Sequence, residues 1–212
     1  MIIDIKNVSK KFNGNYVLND VSMHLESGNI YGFSGRNGSG KSVLLKIITG
    51  LYLASSGSIF LNDREIDYKK EFIPNIGVLI DGPKFFSNLT GLENLKILAN
   101  INSKIGEKEI LEALEIVNLT KEKDKKYSKY SLGMKQKLGI ASAIMEDPEL
   151  LILDEPFNGI EDASVLKIKN YLKSIKDKKI ILLSTHIKED LYELSDFIYY
   201  FDASHVRSLD KW

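Results

Sequence analysis

The chain has 212 residues, 43% of them apolar, a size and composition that suit one compact domain. Its 29 Lys and Arg residues balance its 29 Asp and Glu residues, and this net charge of zero gives no electrostatic reason to expect a nucleic-acid partner. The absence of cysteine excludes a disulfide framework and a thiolate metal site.

The N-terminus and the longest apolar runs indicate how the chain relates to a membrane. Residues 1–5 already include an acid, Asp4, and lack the apolar region of a signal peptide. No stretch approaches the ~20 apolar residues that are needed to cross a bilayer. If the protein acts at a membrane, we expect another chain to supply the crossing.

Two kinds of strand pattern occur along the chain. Residues 2–5, 17–25 and 57–61 alternate apolar and polar side chains, which indicates antiparallel strands with one solvated face. Four other segments are short and uniformly apolar, as expected for strands covered on both faces. They are residues 30–34, 76–80, 150–153 and 180–184.

Helical periodicity separates these strands. A first helix is predicted over Val43–Thr49, with Gly50 just past its C-terminal end. Three further helices have apolar residues at helical spacing. Their apolar faces are Ile110, Leu111, Leu114 and Val117; Val165, Ile168, Leu172 and Ile175; and Ile187, Leu191 and Leu194. Alternating strands and helices predict an α/β fold with a largely parallel central sheet.

The domain organisation follows from where strand patterns are missing. Residues 82–145 show no strand pattern and are interpreted as an inserted helical subdomain. Residues 1–81 and 146–212 then form the core and an antiparallel β-subdomain, within a single domain of residues 1–212. The lysine-rich stretch 121–129 is interpreted as a solvated loop.

A glycine-rich segment after the strand 30–34 fits the phosphate-binding pattern G-x-x-x-x-G-K-[ST], the P-loop. It consists of Gly35, Arg36, Asn37, Gly38, Ser39, Gly40, Lys41 and Ser42. Glycines allow the backbone to curl so that successive N–H groups point at an anion at a helix N-terminus. Lys41 is expected to reach the β- and γ-phosphates and Ser42 to ligate Mg²⁺. The segment therefore predicts ATP and Mg²⁺ as ligands.

Two acids follow the apolar strand 150–153. The carboxyl ends of parallel strands are where α/β sheets bind ligands. Asp154 is therefore a candidate Mg²⁺ ligand, and Glu155 a candidate general base for an attacking water. A strand that ends in an acidic turn is common, so these two acids alone are weak evidence for a nucleotide site. Together with the phosphate-binding loop they are strong evidence.

The segment Tyr130–Gln136, placed between these two motifs, resembles the signature motif of ATP-binding-cassette (ABC) ATPases, usually written LSGGQ. The resemblance covers nearly the whole chain. It implies a P-loop NTPase with a RecA-like core and a helical signature subdomain. It also implies that the signature segment covers ATP bound to a second subunit, with Ser131 and Gly133 binding the nucleotide. Leu132 and Met134 depart from the usual glycine and glutamine.

Further positions match motifs of the same family. The resemblance implies a γ-phosphate contact for His186 and adenine stacking for Phe12, although Tyr16 is close by and either ring also suits simple packing. Glu161 stands where an aspartate is usual in the segment at the dimer interface. Asp81 stands where a glutamine is usual and is expected to ligate Mg²⁺ or orient water, although Asp-Gly-Pro is also an ordinary turn.

Three stretches, Ile76–Pro83, Asn88–Leu95 and Ser131–Ala141, resemble ATPases of bacitracin- and lantibiotic-type exporters. The resemblance implies an ATP-hydrolysing subunit that acts as a dimer at the cytoplasmic face of the cell membrane and powers export. An antimicrobial peptide of bacitracin or lantibiotic type is the candidate cargo that it implies, for export or self-protection. A separate membrane permease subunit is expected to dock on residues 81–90. Phe85 and Phe86 are candidate contacts, although both rings suit packing inside the helical subdomain equally well. The chain ends at Trp212, and we expect it to lack the C-terminal extension of many such ATPases.

Three other functions compete with this interpretation. A soluble ABC ATPase of translation or DNA repair would show two cassettes or long heptad helices, and neither is found. A nucleotide-sensing subunit with little hydrolysis would explain the departures at Asp81, Leu132 and Glu161. A small-molecule kinase would leave the segment Tyr130–Gln136 unexplained.

Overall fold

The computed structural model describes residues 1–209, so the prediction about the chain end at Trp212 lies outside it. It contains ten strands and six α-helices. The strands are β1 (Ile2–Phe12), β2 (Asn15–Glu26), β3 (Asn29–Gly35), β4 (Ser56–Leu61), β5 (Arg64–Glu65), β6 (Ile76–Leu79), β7 (Leu150–Asp154), β8 (Ile180–Ser184), β9 (Phe197–Asp202) and β10 (His205–Leu209). The helices are α1 (Lys41–Ile48), α2 (Gly91–Asn102), α3 (Glu107–Ile116), α4 (Leu132–Ile144), α5 (Asp162–Ile175) and α6 (Lys188–Leu194).

A four-stranded antiparallel sheet forms the first layer, in the order β2-β1-β4-β5. Its strands bury alternate side chains, so that Ile3 and Ile5 are almost fully buried while their neighbours are more exposed. Asn13 and Gly14 join β1 to β2 and both have positive φ, the geometry of a tight hairpin turn. The predicted antiparallel strands are confirmed, and β1 and β2 are longer than predicted.

A six-stranded sheet forms the centre, in the order β10-β9-β3-β8-β7-β6. All its strands are parallel except β10, which pairs antiparallel with β9 at one edge. Every residue of β7 and β8 is buried, because both faces of the sheet are covered. All four predicted strands are present, although Ile76 and Val78 of the edge strand β6 are only half-buried. Strands β9 and β10 were not among the predicted elements.

Helix α1 follows the phosphate-binding loop and ends as predicted. Gly50 has a φ of 77°, and its N–H donates to the carbonyl of Ile47 at 3.0 Å. The predicted apolar face of α6 was wrong at one position. Ile187 precedes the helix and is 38% exposed, whereas Leu191 and Leu194 are buried.

Helices α2, α3 and α4 lie between β6 and β7 in the chain. Thr90 and Glu93 form a reciprocal capping box that begins α2. The lysine-rich stretch is mostly exposed and contains two short 3₁₀ turns, and its Tyr127 is buried and donates to the carbonyl of Pro83 at 2.9 Å. The subdomain limits at residues 82 and 145 stay a prediction.

Two clusters of buried apolar side chains lie on opposite sides of the central sheet. One contains Phe33 and Leu45 together with the antiparallel sheet, and the other contains Leu138 and Ile140 together with the helices after β6. Within residues 1–209, no helix is both long enough and apolar enough to span a bilayer.

Candidate nucleotide-binding site

The glycine-rich loop joins β3 to α1 at the carboxyl edge of the central sheet. Gly35 and Gly40 have φ values of 142° and 104°, a region that L side chains rarely adopt. A Cβ on Gly40 would also lie 2.8 Å from the carbonyl oxygen of Val17. The glycines are therefore required for the tight path of the loop into the helix N-terminus, where the first N–H groups lack intrahelical acceptors.

Lys41 begins α1 and is only 6% exposed. Its Nζ donates to the carbonyls of Gly35 at 2.7 Å and Arg36 at 3.1 Å. An ammonium has three donors, so one remains for an anionic oxygen. Burial lowers the pKa of Lys41, and the carboxylates of Glu155 and Asp154 act in the opposite direction.

A cavity of about 280 Å³ is lined by residues 37–43 together with Asp154 and Glu155. Ser39 Oγ, in the same loop, is buried and has no hydrogen-bond partner within residues 1–209. A buried hydroxyl without a partner and a lysine with an unused donor fit a phosphate group.

The Ser42 hydroxyl and the Asp154 carboxylate are hard oxygen donors, which fit Mg²⁺. The described residues contain no group of three or more His, Cys, Asp or Glu side chains placed to hold a metal. Mg²⁺ commonly relies on one or two protein oxygens, substrate phosphates and water.

Asp154 is held at the end of β7 by the neighbouring strand. Ser184, the last residue of β8, donates its hydroxyl to Asp154 Oδ1, and Asp154 is 8% exposed. The parallel pairing of the two strands places these residues side by side. The carboxylate is thus fixed at the wall of the cavity by tertiary contacts that the sequence motif does not reveal.

Glu155 is paired with His186. Glu155 Oε2 lies 2.8 Å from His186 Nδ1, and the two side chains are 24% and 58% exposed. The Glu155 backbone has a φ of 49°, its N–H donates to the Ser184 carbonyl at 3.0 Å, and its carbonyl accepts from Gln136 Nε2 at 2.9 Å. The structure brings the predicted base and the predicted histidine together, and the phosphate contact of His186 stays a prediction.

Asp81 is held by a lysine that sequence reasoning missed. Asp81 Oδ2 lies 2.6 Å from Nζ of Lys46, four residues after Ser42 on α1. This hydrogen bond raises the pKa of Lys46, and Asp81 is well exposed with a φ of 59°. The carboxylate faces α1 rather than lining the phosphate cavity, and its role toward Mg²⁺ or water stays a prediction.

The two candidate rings for adenine occupy different places. Phe12 is 40% exposed, packs edge-on against Tyr52 at 5.7 Å and lies under Lys10 Nζ at 5.0 Å. Tyr16 lines a pocket beside the phosphate-binding loop, together with Arg36 and residues 37–39. Only Tyr16 of the two rings lines a pocket at the phosphate-binding loop, and the stacking role of Phe12 stays a prediction.

The signature segment begins α4. Ser131 is exposed at the N-cap and accepts a hydrogen bond from the N–H of Met134 at 3.2 Å. Leu132 beside it is 70% exposed. A Cβ on Gly133 would lie 2.2 Å from the carbonyl oxygen of Gly159, so the glycine permits close contact with the loop after β7. The predicted nucleotide contacts of Ser131 and Gly133 stay predictions.

Glu161 lies in the same loop and pairs with a lysine of α4. Lys137, whose side chain is 6% exposed, donates to Glu161 Oε1, and Ser164 donates to the same oxygen at 2.6 Å. These hydrogen bonds, the one from Lys137 first, lower the pKa of Glu161 to about 2. Sequence reasoning missed Gln136 and Lys137, although with Gly133 they share one face of α4 at helical spacing.

The order β3-β8-β7 places the phosphate-binding loop and the acids of β7 on one edge of the sheet, with only the strand of Ser184 between them. This arrangement defines the class of P-loop nucleotide-binding proteins.

Known sequences narrow this class. The sequence pattern of the family described as ABC transporter matches residues 18–158, well over half of the chain. A bacitracin transport ATP-binding protein of Enterococcus faecalis is 38% identical over 210 residues, which cover 97% of this chain and 68% of that protein. A lantibiotic transport ATP-binding protein of Streptococcus pyogenes is 35% identical over 198 residues, which cover 93% of this chain and 85% of that protein. The chain therefore belongs to the ABC transporter family, as an ATP-binding subunit with ATPase activity.

A solved structure shows the same fold. An ATP-binding cassette described as dimeric, in a post-hydrolysis state with ADP and Pi, superimposes with a TM-score of 0.87 at 24% identity. The match covers 99% of this chain and all of that chain (100%). The predicted α/β fold, with a P-loop core, an antiparallel β-subdomain and helices between β6 and β7, is confirmed.

Proposed function

We propose that this subunit hydrolyses MgATP as a dimer and so powers export of an antimicrobial peptide of bacitracin or lantibiotic type through a separate membrane subunit. The observation that carries the catalytic part is the Glu155–His186 pair beside the cavity of Lys41 and Asp154. The names of two relatives support the cargo class.

Within one subunit, Lys41 neutralises phosphate charge, and Ser42 and Asp154 hold Mg²⁺. The metal, when bound there, would neutralise phosphate charge during the reaction. Asp154 is already oriented by Ser184, so little reorganisation is required when it takes this role. Phe12 or Tyr16 covers the adenine.

Glu155 takes a proton from the water whose oxygen attacks the γ-phosphorus, and ADP leaves as the bond to the γ-phosphate breaks. His186 Nδ1 contacts the Glu155 carboxylate and orients it. In this proposal the rest of the exposed ring contacts the γ-phosphate. Asp81 orients water or metal after it separates from Lys46.

The second subunit completes the site. Ser131 is exposed at the start of α4, where N–H groups and the helix dipole favour a phosphate. A two-fold interface then forms two equivalent sites at once. ATP shared across the interface stabilises the closed dimer, and hydrolysis removes that contact. The dimeric cassette of the same fold supports this assembly.

The membrane subunit docks on an apolar groove of the helices after β6. This groove of about 250 Å³ is lined by Lys84, Phe85, Phe86, Asn94, Ile97 and Leu98. Phe86 is 61% exposed at its edge, whereas Phe85 packs against Tyr127 at 5.4 Å. Exposed aromatic rings are enriched at interfaces, so Phe86 is the stronger candidate contact. In this proposal the docked subunit lies at the cytoplasmic face of the cell membrane.

The first test is Glu155→Gln, which keeps the size of the side chain and removes the base. Hydrolysis is expected to fall roughly 100-fold or more, because general-base catalysis contributes about 10²–10⁴. ATP binding is expected to remain, and the variant should form a dimer in ATP, measured by light scattering.

Lys41→Ala is the matched control, which should lose ATP binding itself. Near-normal turnover of Glu155→Gln would refute the general-base role. Wild-type turnover no higher than the background of Lys41→Ala would favour a nucleotide-sensing subunit instead. For the cargo, cells carrying this subunit with its membrane partner should resist bacitracin or a lantibiotic more than cells carrying Lys41→Ala, and equal sensitivity would contradict the cargo class.

A further inference from the structure

The backbone of the proposed general base is strained. Glu155 has a φ of 49°, which a non-glycine residue rarely adopts outside a turn that fixes it. Such conformations cost free energy and persist only where surrounding contacts hold them. At this position the direction of the carboxylate depends on the backbone conformation.

Hydrogen bonds to the backbone of this residue hold it from opposite sides, and one of them, from the Asn158 N–H to its carbonyl at 3.5 Å, is local to the loop. Its N–H donates to the Ser184 carbonyl of β8 at 3.0 Å, a contact that continues the sheet pairing. Its carbonyl accepts from Gln136 Nε2 at 2.9 Å, and Gln136 is 6% exposed in α4. The side chain of Gln136 is therefore the contact from α4 that holds the strained residue.

The same face of α4 also contacts the rest of the loop 155–161. Gly133 packs against Gly159 so closely that a Cβ would lie 2.2 Å from its carbonyl oxygen. Lys137 is buried and donates to Glu161. Residues at i, i+3 and i+4 of one helix thus contact the middle, the start and the end of the loop 155–161.

We propose that Gln136 is a positioning residue that holds the Glu155 backbone in the conformation needed for catalysis and couples Glu155 to the signature segment of its own subunit. This inference rests on the proposed function, in which Glu155 is the base and Ser131 contacts the partner's ATP. A shift of Ser131 when it engages that ATP moves α4 and, through Gln136, the Glu155 that acts on the subunit's own ATP.

The test replaces Gln136 by Met, which has similar length and no donor. Glu155 and its neighbours should exchange their amide hydrogens faster, by about fivefold, because one hydrogen bond is lost. The kcat for ATP should fall roughly 10- to 100-fold, since small displacements of a reacting group have effects of this size. The KM and the affinity for MgATP should stay within about twofold, because Gln136 is outside the wall of the phosphate cavity.

The control is Ser142→Ala, which also removes a side-chain-to-backbone hydrogen bond of α4, but to Gly139 of the same helix. It should leave exchange at 155–161 and kcat unchanged. Gln136→Glu, which keeps the shape and loses the donor, gives the same readouts if Gln136→Met does not fold.

Unchanged exchange at residues 155–161, or loss of kcat only in proportion to lost ATP binding or lost folded protein, would overturn the proposal. The exchange measurement does not depend on catalysis, so it separates this inference from the role of Glu155. If Glu155→Gln hydrolyses ATP normally while Gln136→Met still loosens the loop, the positioning contact is real and the proposed base is wrong.

Discussion

The ion pair between Lys137 and Glu161 predicts an asymmetric effect of mutation, because its partners differ in exposure. The Lys137 side chain is 6% exposed, whereas that of Glu161 is 55% exposed. Lys137→Met leaves a carboxylate that water can solvate, and Met covers the apolar surroundings of the lysine stem. Glu161→Ala instead leaves a buried ammonium whose remaining acceptor is the Asn118 carbonyl at 3.4 Å.

The magnitude follows from the pKa and the burial. A pKa of about 2 for Glu161, lowered from 4.5 chiefly by Lys137, corresponds to ~3 kcal/mol without screening. Since about half of the Glu161 side chain is exposed, solvent screening reduces the contribution of the ion pair to about 1 kcal/mol. This is the expected cost of Lys137→Met in free energy of unfolding. Glu161→Ala should cost about 3 kcal/mol, since it leaves a buried charge unpaired. These costs correspond to falls in Tm of about 2–4 °C and 6–12 °C.

The assay is urea unfolding at pH 7 of both single variants and the double variant. The double variant should be more stable than Glu161→Ala alone, because it removes the unpaired charge with its partner. The folded-state pKa of Glu161 is depressed, so the ion pair's contribution is present above the unfolded value of 4.5 and is lost as the pH falls toward 2. A cost of Lys137→Met equal to or above that of Glu161→Ala would refute the reasoning.

Two further predictions concern surfaces of the helices after β6. Gly133→Ala should lower stability by about 1–3 kcal/mol and abolish ATP-driven dimerisation, because its Cβ meets the Gly159 carbonyl. Gly106→Ala is the control: its Cβ would make only an ordinary contact with Glu109 Oε2 at 3.6 Å, so it should cost under about 1 kcal/mol in thermal unfolding. Gly133→Ala that dimerises normally would show that the close contact is not needed. Phe86→Ser should leave ATPase activity in solution unchanged and reduce recovery of the membrane subunit in a pull-down from membranes, with Ile97→Ser as a second groove variant. Full recovery with both variants would place the docking surface elsewhere.

The sequence was sufficient for features that depend on neighbouring residues. The phosphate-binding loop is eight consecutive residues whose glycines, lysine and serine each have a local reason, and the structure gives Gly35 and Gly40 the backbone that only glycine adopts readily. The buried strands β7 and β8 were recognisable because a strand covered on both faces is apolar at every position up to the polar residue that ends it. The error at Ile187 arose at a helix end, where periodicity alone does not locate the first turn.

The pairing of side chains was decided only by the tertiary structure. Glu155 meets His186 and Gln136, and Asp81 meets Lys46, across separations in the chain that no local pattern encodes. Strand order places β8 between β3 and β7, and this order determines which groups meet at the carboxyl edge. Sequence by itself therefore determined the chemistry of the groups, because that chemistry belongs to residue types and short spacings. Packing of the helices against the sheet determined which groups touch, how deeply each is buried and hence how strongly each acts.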